Sequence, residues 1–276
     1  MLKKLRVLFA VVMGAVITFY FLDFAGLTTG WPNLARIQFV PALLAGSFGI
    51  VLILLVATLL FGRIYCSVIC PLGVFQDAVS WFSGKQKKNR FRYSPALKWL
   101  RYGVLAVFIL ALVAGLNAFV VLLAPYSAYG RMVSSLLAPV WQWGNNLLAY
   151  FAERAESYAF YEVDVWMKSL STLIIAVITL IVLFVLAWRN GRTYCNTICP
   201  VGTVLGFISR YSIFKPVIDT SKCNSCGLCA RNCKASCINA KAHEIDYSRC
   251  VACMDCLGKC KQGAIKYTRR IQKKEG

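Results

Sequence analysis

The sequence predicts a membrane all-α domain of four transmembrane helices, arranged as two parallel helix-pair repeats and followed by a small α+β cysteine-rich domain. Three observations predict it: four apolar stretches of membrane-spanning length, a twelve-residue segment that occurs twice, and a C-terminal region holding nine of the thirteen cysteines. The expected boundary divides the chain into 1–212 and 213–276.

The composition sets the class. Of 276 residues, 59% are hydrophobic and only 15% charged, where a soluble domain carries about a quarter of its residues as charges. The formal net charge is +20. The basic residues collect at helix ends, where the positive-inside rule accounts for them, so membrane lipid is the expected partner of that charge and no nucleic acid is expected. The cysteines sit in Cys-x-x-Cys runs or beside basic membrane-flanking segments, which points to reduced, metal-holding thiolates and not to disulfides.

The apolar stretches run over about 5–22, 41–61, 100–123 and 170–188, each near the roughly 20 residues that a bilayer requires. Bulky Tyr20-Phe21-Leu22 stands where a leader would need small residues for cleavage, so the first stretch reads as a retained helix. Lys3, Lys4 and Arg6 precede it, and Arg63, Lys85, Lys87, Lys88, Arg90 and Arg92 follow the second stretch. Arg189, Arg192 and a basic tail follow the fourth. Both termini are therefore expected in the cytoplasm, with the chain in the bacterial cytoplasmic (inner) membrane. The longer opposite loop, about 124–168, holds Glu153, Glu156, Glu162 and Asp164, and its Trp141-to-Tyr161 part is expected along the outer interface.

Gly62-Arg63-Ile-Tyr65-Cys66-Ser-Val-Ile69-Cys70-Pro71-Leu-Gly73 recurs as Gly191-Arg192-Thr-Tyr194-Cys195-Asn-Thr-Ile198-Cys199-Pro200-Val-Gly202, with eight of twelve positions identical and no gap. Each copy ends a helix running from outside to inside. Two such halves imply a pseudo-two-fold axis along the membrane normal, which would bring both Cys-x-x-x-Cys-Pro segments to one depth. Cys66, Cys70, Cys195 and Cys199 then offer four soft ligands for a third iron–sulfur cluster, an iron or copper ion, or a dithiol couple. Packing at a Pro-terminated helix end is the simpler alternative, and the roles of Arg63 and Arg192 stay open.

Two Cys-x2-Cys-x2-Cys-x3-Cys runs lie in the C-terminal region, at 223–233 and 250–260. Structural zinc uses paired knuckles and not triplets. In two-cluster bacterial ferredoxins the fourth cysteine of each run ligates the other cluster. This pattern assigns Cys223, Cys226, Cys229 and Cys260 to one [4Fe–4S] cluster, and Cys250, Cys253, Cys256 and Cys233 to a second. Lys234 and Lys261 stand where proline usually follows the fourth cysteine; they either raise the reduction potential or solvate the surface. Cys237 is a small packed residue or a substitute ligand. His243 is the single histidine, so a bis-histidine haem is excluded, as is a Cys-x-x-Cys-His haem site. No nucleotide-binding glycine motif occurs.

With paired Cys-x-x-x-Cys-Pro segments followed by two four-cysteine runs, the chain resembles the NapH/NosR/CcoG-type membrane-bound 4Fe-4S ferredoxin-like family, in its short NapH-like form. In that form neither the flavin-binding region of the NosR branch nor the immunoglobulin-like domain of the CcoG copper reductases is expected. The resemblance implies four core helices, cytoplasmic clusters, and electron transfer between the quinone pool and a partner protein. Copper reduction at the four membrane cysteines is one alternative, and a redox-sensing or assembly anchor is another. Trp81, Phe82, Trp99 and Tyr102 line a quinone pocket or, more simply, belong to the interfacial aromatic belt.

Overall fold

The computed structural model describes residues 2–22, 35–86, 91–154, 161–165 and 169–269. The first helix, α1, spans Leu2–Leu22. Next come α2 (Phe39–Leu44), α3 (Phe48–Phe61), α4 (Tyr65–Val68) and α5 (Pro71–Gln86). They are followed by α6 (Lys98–Val113), α7 (Asn117–Leu123), α8 (Pro125–Met132), a π-helical turn at Val133–Leu137, and α9 (Ala138–Arg154). The helix α10 (Leu170–Asn190) leads into α11 (Thr193–Thr197) and α12 (Pro200–Ser209).

Two of the four expected spans are unbroken. The helices α1 and α10 have 21 residues each and are long and apolar enough to cross a membrane; at 1.5 Å per residue each reaches about 31 Å, the thickness of a hydrocarbon core. Leu8 and Val11 on α1, with Ile178 and Ile181 on α10, are exposed. Such faces are stable against lipid and not against water, so the protein is membrane-associated.

The other two expected spans are each interrupted. The 41–61 stretch divides into α2 and α3, and the 100–123 stretch into α6 and α7. Gly46 and Gly115 adopt φ of +67° and +72°, a left-handed conformation that costs glycine nothing. Each closes the same cap. The Ser47 N–H donates to the Ala42 carbonyl at 2.9 Å, and the Leu116 N–H to the Ala111 carbonyl at 2.8 Å, the six-to-one bond that ends a helix. The broken ends bring α2 and α7 back towards the repeat segments. Tyr65 Oη donates to Gln38 Oε1 at 2.9 Å, and Tyr194 Oη to the Leu123 carbonyl at 3.5 Å.

The 124–168 stretch differs more from its expected form. Residues 125–154 form a helix bent 79° from α7, started by Pro125, whose missing N–H is harmless in a first turn. Its first half, expected as part of a loop, is helical and buried. Tyr126, Ala128, Gly130, Met132 and Val133 are buried against α1, α5 and α10. The Phe21 ring lies 5.0 Å from that of Tyr126 and covers Gly130, where small residues let the helices approach. Trp143, in the second half, is 65% exposed; residues 155–160 and 166–168 lie outside the described residues.

In the C-terminal region β1 (Phe214–Ile218) pairs antiparallel with β4 (Ile265–Arg269), and β2 (Ile238–Asn239) with β3 (Glu244–Ile245). One short helix, α13 (Leu228–Arg231), lies between them. This region sits on the helical part through main-chain contacts. The Ile213 N–H donates to the Leu59 carbonyl at 2.9 Å and the Arg192 N–H to that of Lys234 at 2.9 Å; Tyr267 Oη donates to the Phe61 carbonyl at 2.9 Å.

Charge fixes the docking. Asp77 on α5 accepts Arg6 of α1 at 2.7 Å, Arg192 at 2.9 Å and Lys234 at 3.5 Å. Lys234 also reaches Asp255 at 3.1 Å, and Lys3 reaches Asp255 at 2.7 Å. Removing one partner from such a buried set leaves an uncompensated charge, which costs about 3–5 kcal/mol. Asp77→Asn is therefore expected to lower stability by roughly that amount, read as thermal unfolding in a membrane mimic. Burial alone would raise the Asp77 carboxyl, but Arg192 and Lys234, with Arg6, outweigh it and hold it well below the carboxylate range. Asp255 is likewise held low by Lys234 and Lys3 against burial. Both groups thus contribute fully above the unfolded carboxylate pKa of about 4. That contribution is lost as pH falls through their depressed values. Asp77→Asn should flatten this acid dependence.

Candidate metal centre

The two repeat segments fold alike and lock together by exchange. Cys66, Cys70, Cys195 and Cys199 are all buried, at 3–4% exposure. Cys70 and Cys199 precede α5 and α12, and the Gly202 N–H donates to Cys199 Sγ at 3.4 Å. Arg63 and Arg192 have no exposure at all. Each donates across to the other copy: Arg63 Nη2 to the Cys195 carbonyl at 3.1 Å, and Arg192 Nη1 to the Cys66 carbonyl. The repeat's last glycine is required by this crossing. A Cβ at Gly73 would collide with the Cys66 carbonyl and lie 2.8 Å from Arg192 Nη1. One at Gly202 would collide with the Cys195 carbonyl and lie 2.8 Å from Arg63 Nη2.

The exchange is symmetric and its electrostatics are not. Continuing the repeat's register sets Asp77 opposite Gly206. Where the first copy has a carboxylate for Arg192, the second has the Ser248 main chain and Arg101 Nη2, 2.8 Å from a Cβ placed on Gly206. Arg101 is 3% exposed and donates to Ser248 Oγ at 3.1 Å and to the Ser248 carbonyl at 3.2 Å. Arg63 Nη1 donates to the same carbonyl at 3.1 Å and to Asn196 Oδ1 at 2.8 Å. Among the described residues neither Arg63 nor Arg101 makes an ion pair, and the Nε of each is unpartnered. Asp246, beyond Ser248, is engaged by Ser248 Oγ at 2.6 Å and by Arg249 at 2.7 Å, and buried cations short of a carboxylate of their own are costly. They fit an anionic neighbour beside the Cys250 loop.

Two cavities in the C-terminal region are lined by cysteines. Cys223, Cys226, Cys229 and Cys260 share one with Ser225, Gly227 and Ala264. Cys233, Cys237, Cys250, Cys253 and Cys256 share the other with Ala252 and Met254. The main chain winds identically around both. Ser225 and Gly227 have φ of +54° and +71°, and the matching Ala252 and Met254 have +49° and +60°. Left-handed conformation costs a non-glycine residue about 1–2 kcal/mol, a cost tolerated at functional sites. Alternating right- and left-handed residues turn successive N–H groups inward into a nest, which binds anions and iron–sulfur groups. Soft thiols and left-handed nest residues line both cavities, and the inner one also has Arg63 and Arg101 beside its Cys250 loop; this is donor chemistry that fits an iron–sulfur group.

The cavities differ in depth. Cys226 is exposed and Cys223, Cys229 and Cys260 are half-buried, whereas Cys233, Cys253 and Cys256 are buried. Val251 and Cys253 belong to the same apolar core as Cys66, Cys70 and Cys199. Gln76 Nε2 donates to Cys195 Sγ at 3.3 Å, and Arg63 Nη2 to Cys66 Sγ at 3.8 Å.

Lys234 and Lys261 have separate fates. Lys261 is exposed. The solvating alternative does not hold for Lys234, whose side chain is 15% exposed and ion-paired. Sequence reading passed over Asp77, Gln76, Arg101 and Asn196. One signal was available: Asp77 is the sole acidic residue between positions 62 and 99, amid a basic loop. Trp81, Phe82, Trp99 and Tyr102 are exposed at 55%, 56%, 93% and 41%.

A family profile described as a 4Fe-4S binding domain matches the chain twice, at 43–89 and 171–219. Each match contains one copy of the repeat. The ferredoxin-type protein NapH of Haemophilus influenzae is 26% identical over 186 residues, 67% of this chain and 52% of that protein. The methylamine utilization ferredoxin-type protein MauN of Paracoccus denitrificans is 26% identical over 207 residues, 74% of this chain and 56% of that protein. The putative electron transport protein YccM of Escherichia coli is 24% identical over 197 residues, 70% of this chain and 47% of that protein. The chain spans about half the length of the curated relatives it matches. No solved structure matches.

The crossing predicts two intolerant positions. Gly73→Ala and Gly202→Ala should each destabilise by about 1–3 kcal/mol or more, because the carbonyl they meet is main chain and cannot rotate away. Gly103→Ala and Gly144→Ala, where a Cβ meets nothing within 4 Å, should leave the unfolding midpoint unchanged or raised.

Proposed function

We propose that this member of a NapH-like 4Fe-4S family passes electrons between the quinone pool, or a membrane redox partner, and two cytoplasmic [4Fe–4S] clusters. Cys223, Cys226, Cys229 and Cys260 would hold the outer cluster, and Cys250, Cys253, Cys256 and Cys233 the inner one. Such a cluster supplies a one-electron donor and acceptor, tuned by charge and hydrogen bonds around its sulfurs.

The single observation that carries the reading is the docking of the second cysteine run onto the repeat. Val251 and Cys253 share a core with Cys66, Cys70 and Cys199. The protein's own residues then have distinct tasks. Lys234, Asp77 and Asp255 hold the C-terminal region in register on the helices. Val251 and Leu257 keep water from the inner thiols, and Arg63 and Arg101 hold positive charge beside them. The exposed Cys226 side is the face offered to a redox partner.

The proposed topology has four spans as two parallel repeats about an axis along the membrane normal, in the bacterial inner membrane with both termini cytoplasmic. The reciprocal Arg63–Arg192 crossing and the double family match support the repeat. The proposed division into 1–212 and 213–276 is supported by the start of β1 at Phe214.

A second reading concerns the membrane cysteines as a third metal, cluster or dithiol site. It is favoured by donors to three of the four sulfurs: Arg63, Gln76 and the Gly202 N–H, and by the 4Fe-4S family match on the repeats themselves. Copper reduction there would appear as copper-dependent reoxidation that a Cys66→Ser, Cys195→Ser variant loses.

Anaerobically purified chain in lipid nanodiscs should carry about eight irons, or about twelve with a third cluster on the membrane cysteines. Its visible iron–sulfur absorbance should bleach on addition of a quinol. No response to any quinol or quinone analogue rejects the quinone link. Arg101→Gln should lower the midpoint potential of one cluster by about 59 mV, tenfold in its one-electron equilibrium. Arg101→Lys should keep most of the wild-type value, and the other cluster should not move in an EPR-monitored redox titration.

A further inference from the structure

The inner cavity holds one thiol more than a four-iron cluster can use, and the extra one is Cys237. Aligned on their fourth cysteines, Cys233-Lys-Ala-Ser-Cys237-Ile238 matches Cys260-Lys-Gln-Gly-Ala264-Ile265. The two stretches turn alike, with φ of +51° at Ser236 and +60° at Gly263. In the outer cavity the Ala264 N–H donates to Cys260 Sγ at 3.3 Å, and a methyl group completes the packing. At the matching inner position a sulfur replaces a hydrogen of that methyl.

That sulfur is not a surface thiol. Cys237 is 1% exposed, lines the cavity beside Cys250, Cys253 and Cys256, and has its Sγ 3.5 Å from Cys233 Sγ. Two sulfurs in van der Waals contact face one spot, so Cys237 stands at the iron corner that Cys233 would hold, on the side where Cys250 also comes within hydrogen-bonding reach of it. The outer set has no such pair: among the described residues its cavity is lined by Cys223, Cys226, Cys229 and Cys260 alone of the cysteines.

We propose that Cys237 is an alternative ligand for the iron that Cys233 would hold, so that the inner cluster alone can exchange one protein ligand. This rests on the cluster reading above. In the exchange one thiolate–iron bond breaks as the other forms, and the Cys237 thiol proton passes to the departing Cys233 sulfur. Charge and oxidation state are unchanged, and no outside reactant is needed. The four-iron cluster then survives the loss of either thiolate, which its outer counterpart cannot do.

The test uses the full chain, prepared without oxygen in nanodiscs, with iron content and EPR spectra as readouts. Cys233→Ala should keep the wild-type iron content and show no three-iron signal. Cys233→Ala, Cys237→Ala should lose about one iron per chain and show that signal, as should Cys256→Ala, whose corner has no spare thiol. Iron loss by Cys233→Ala alone, equal to that of the double variant, overturns the proposal. Cys237→Ala needs no new packing, because Ala264 already fills the matching place, and it should release iron to a chelator severalfold faster than wild type. Equal release rates overturn the proposal even if Cys233→Ala fails to fold. Wild-type chain without iron would remove the cluster reading itself, a result distinct from either failure.

Discussion

Two guanidinium groups with no exposed surface hold this protein together. Arg63 and Arg192 each leave their own repeat and end on the main-chain carbonyl of a cysteine in the other. An arginine in that position must find acceptors or forfeit its hydration, and a carbonyl at a broken helix end has a free lone pair to give. The crossing is possible only because Gly73 and Gly202 leave room where any side chain would meet the carbonyl. Arginine, cysteine and glycine in the repeat are thus parts of one contact. The four membrane cysteines are positioned by it whatever else they do.

The same contact makes the two halves electrically unlike. Asp77 neutralises Arg192 and takes in Arg6 and Lys234 as well, which ties α1, α5 and the C-terminal region to one carboxylate. The matching place at Gly206 has no room for an acid. Arg63 and Arg101 therefore stand together beside Ser248 with no ion pair of their own among the described residues, Asp246 beyond it being paired with Arg249. The two segments share one frame, and the difference between Asp77 and Gly206 within it leaves Arg63 and Arg101 beside the Cys250 loop. In an interior of low polarity a fixed charge at that distance acts far more strongly than it would in water.

The C-terminal region is consequently seated and not merely tethered. Its strands and loops donate to and accept from the ends of α3, α12 and α11, and its second cysteine run closes onto the apolar core of the repeat. The outer cysteines stay near solvent while Cys233, Cys253 and Cys256 of the inner set are buried, which gives the pair of cavities a direction. Cys237 adds a second difference between them, since the spare thiol lies only on the buried side.

The sequence by itself determined the local features: the unbroken helices α1 and α10, the duplicated segment, and the two cysteine runs whose members line two cavities. Hydropathy, identity and spacing are properties of neighbouring residues, and each was legible without coordinates. Tertiary structure decided what depends on distant residues meeting. Gly46 and Gly115 end helices that composition alone would continue, because a left-handed residue closes a helix whatever the average hydropathy around it. The first part of the helix at 125–154 enters the core because Gly130 fits beneath Phe21, a match visible only when both are in place. Lys234, read from sequence as equally a surface residue, is buried because Asp77 and Asp255 converge on it from two other parts of the chain. Partners for a charge are chosen by three-dimensional proximity, and a linear sequence records only the charge.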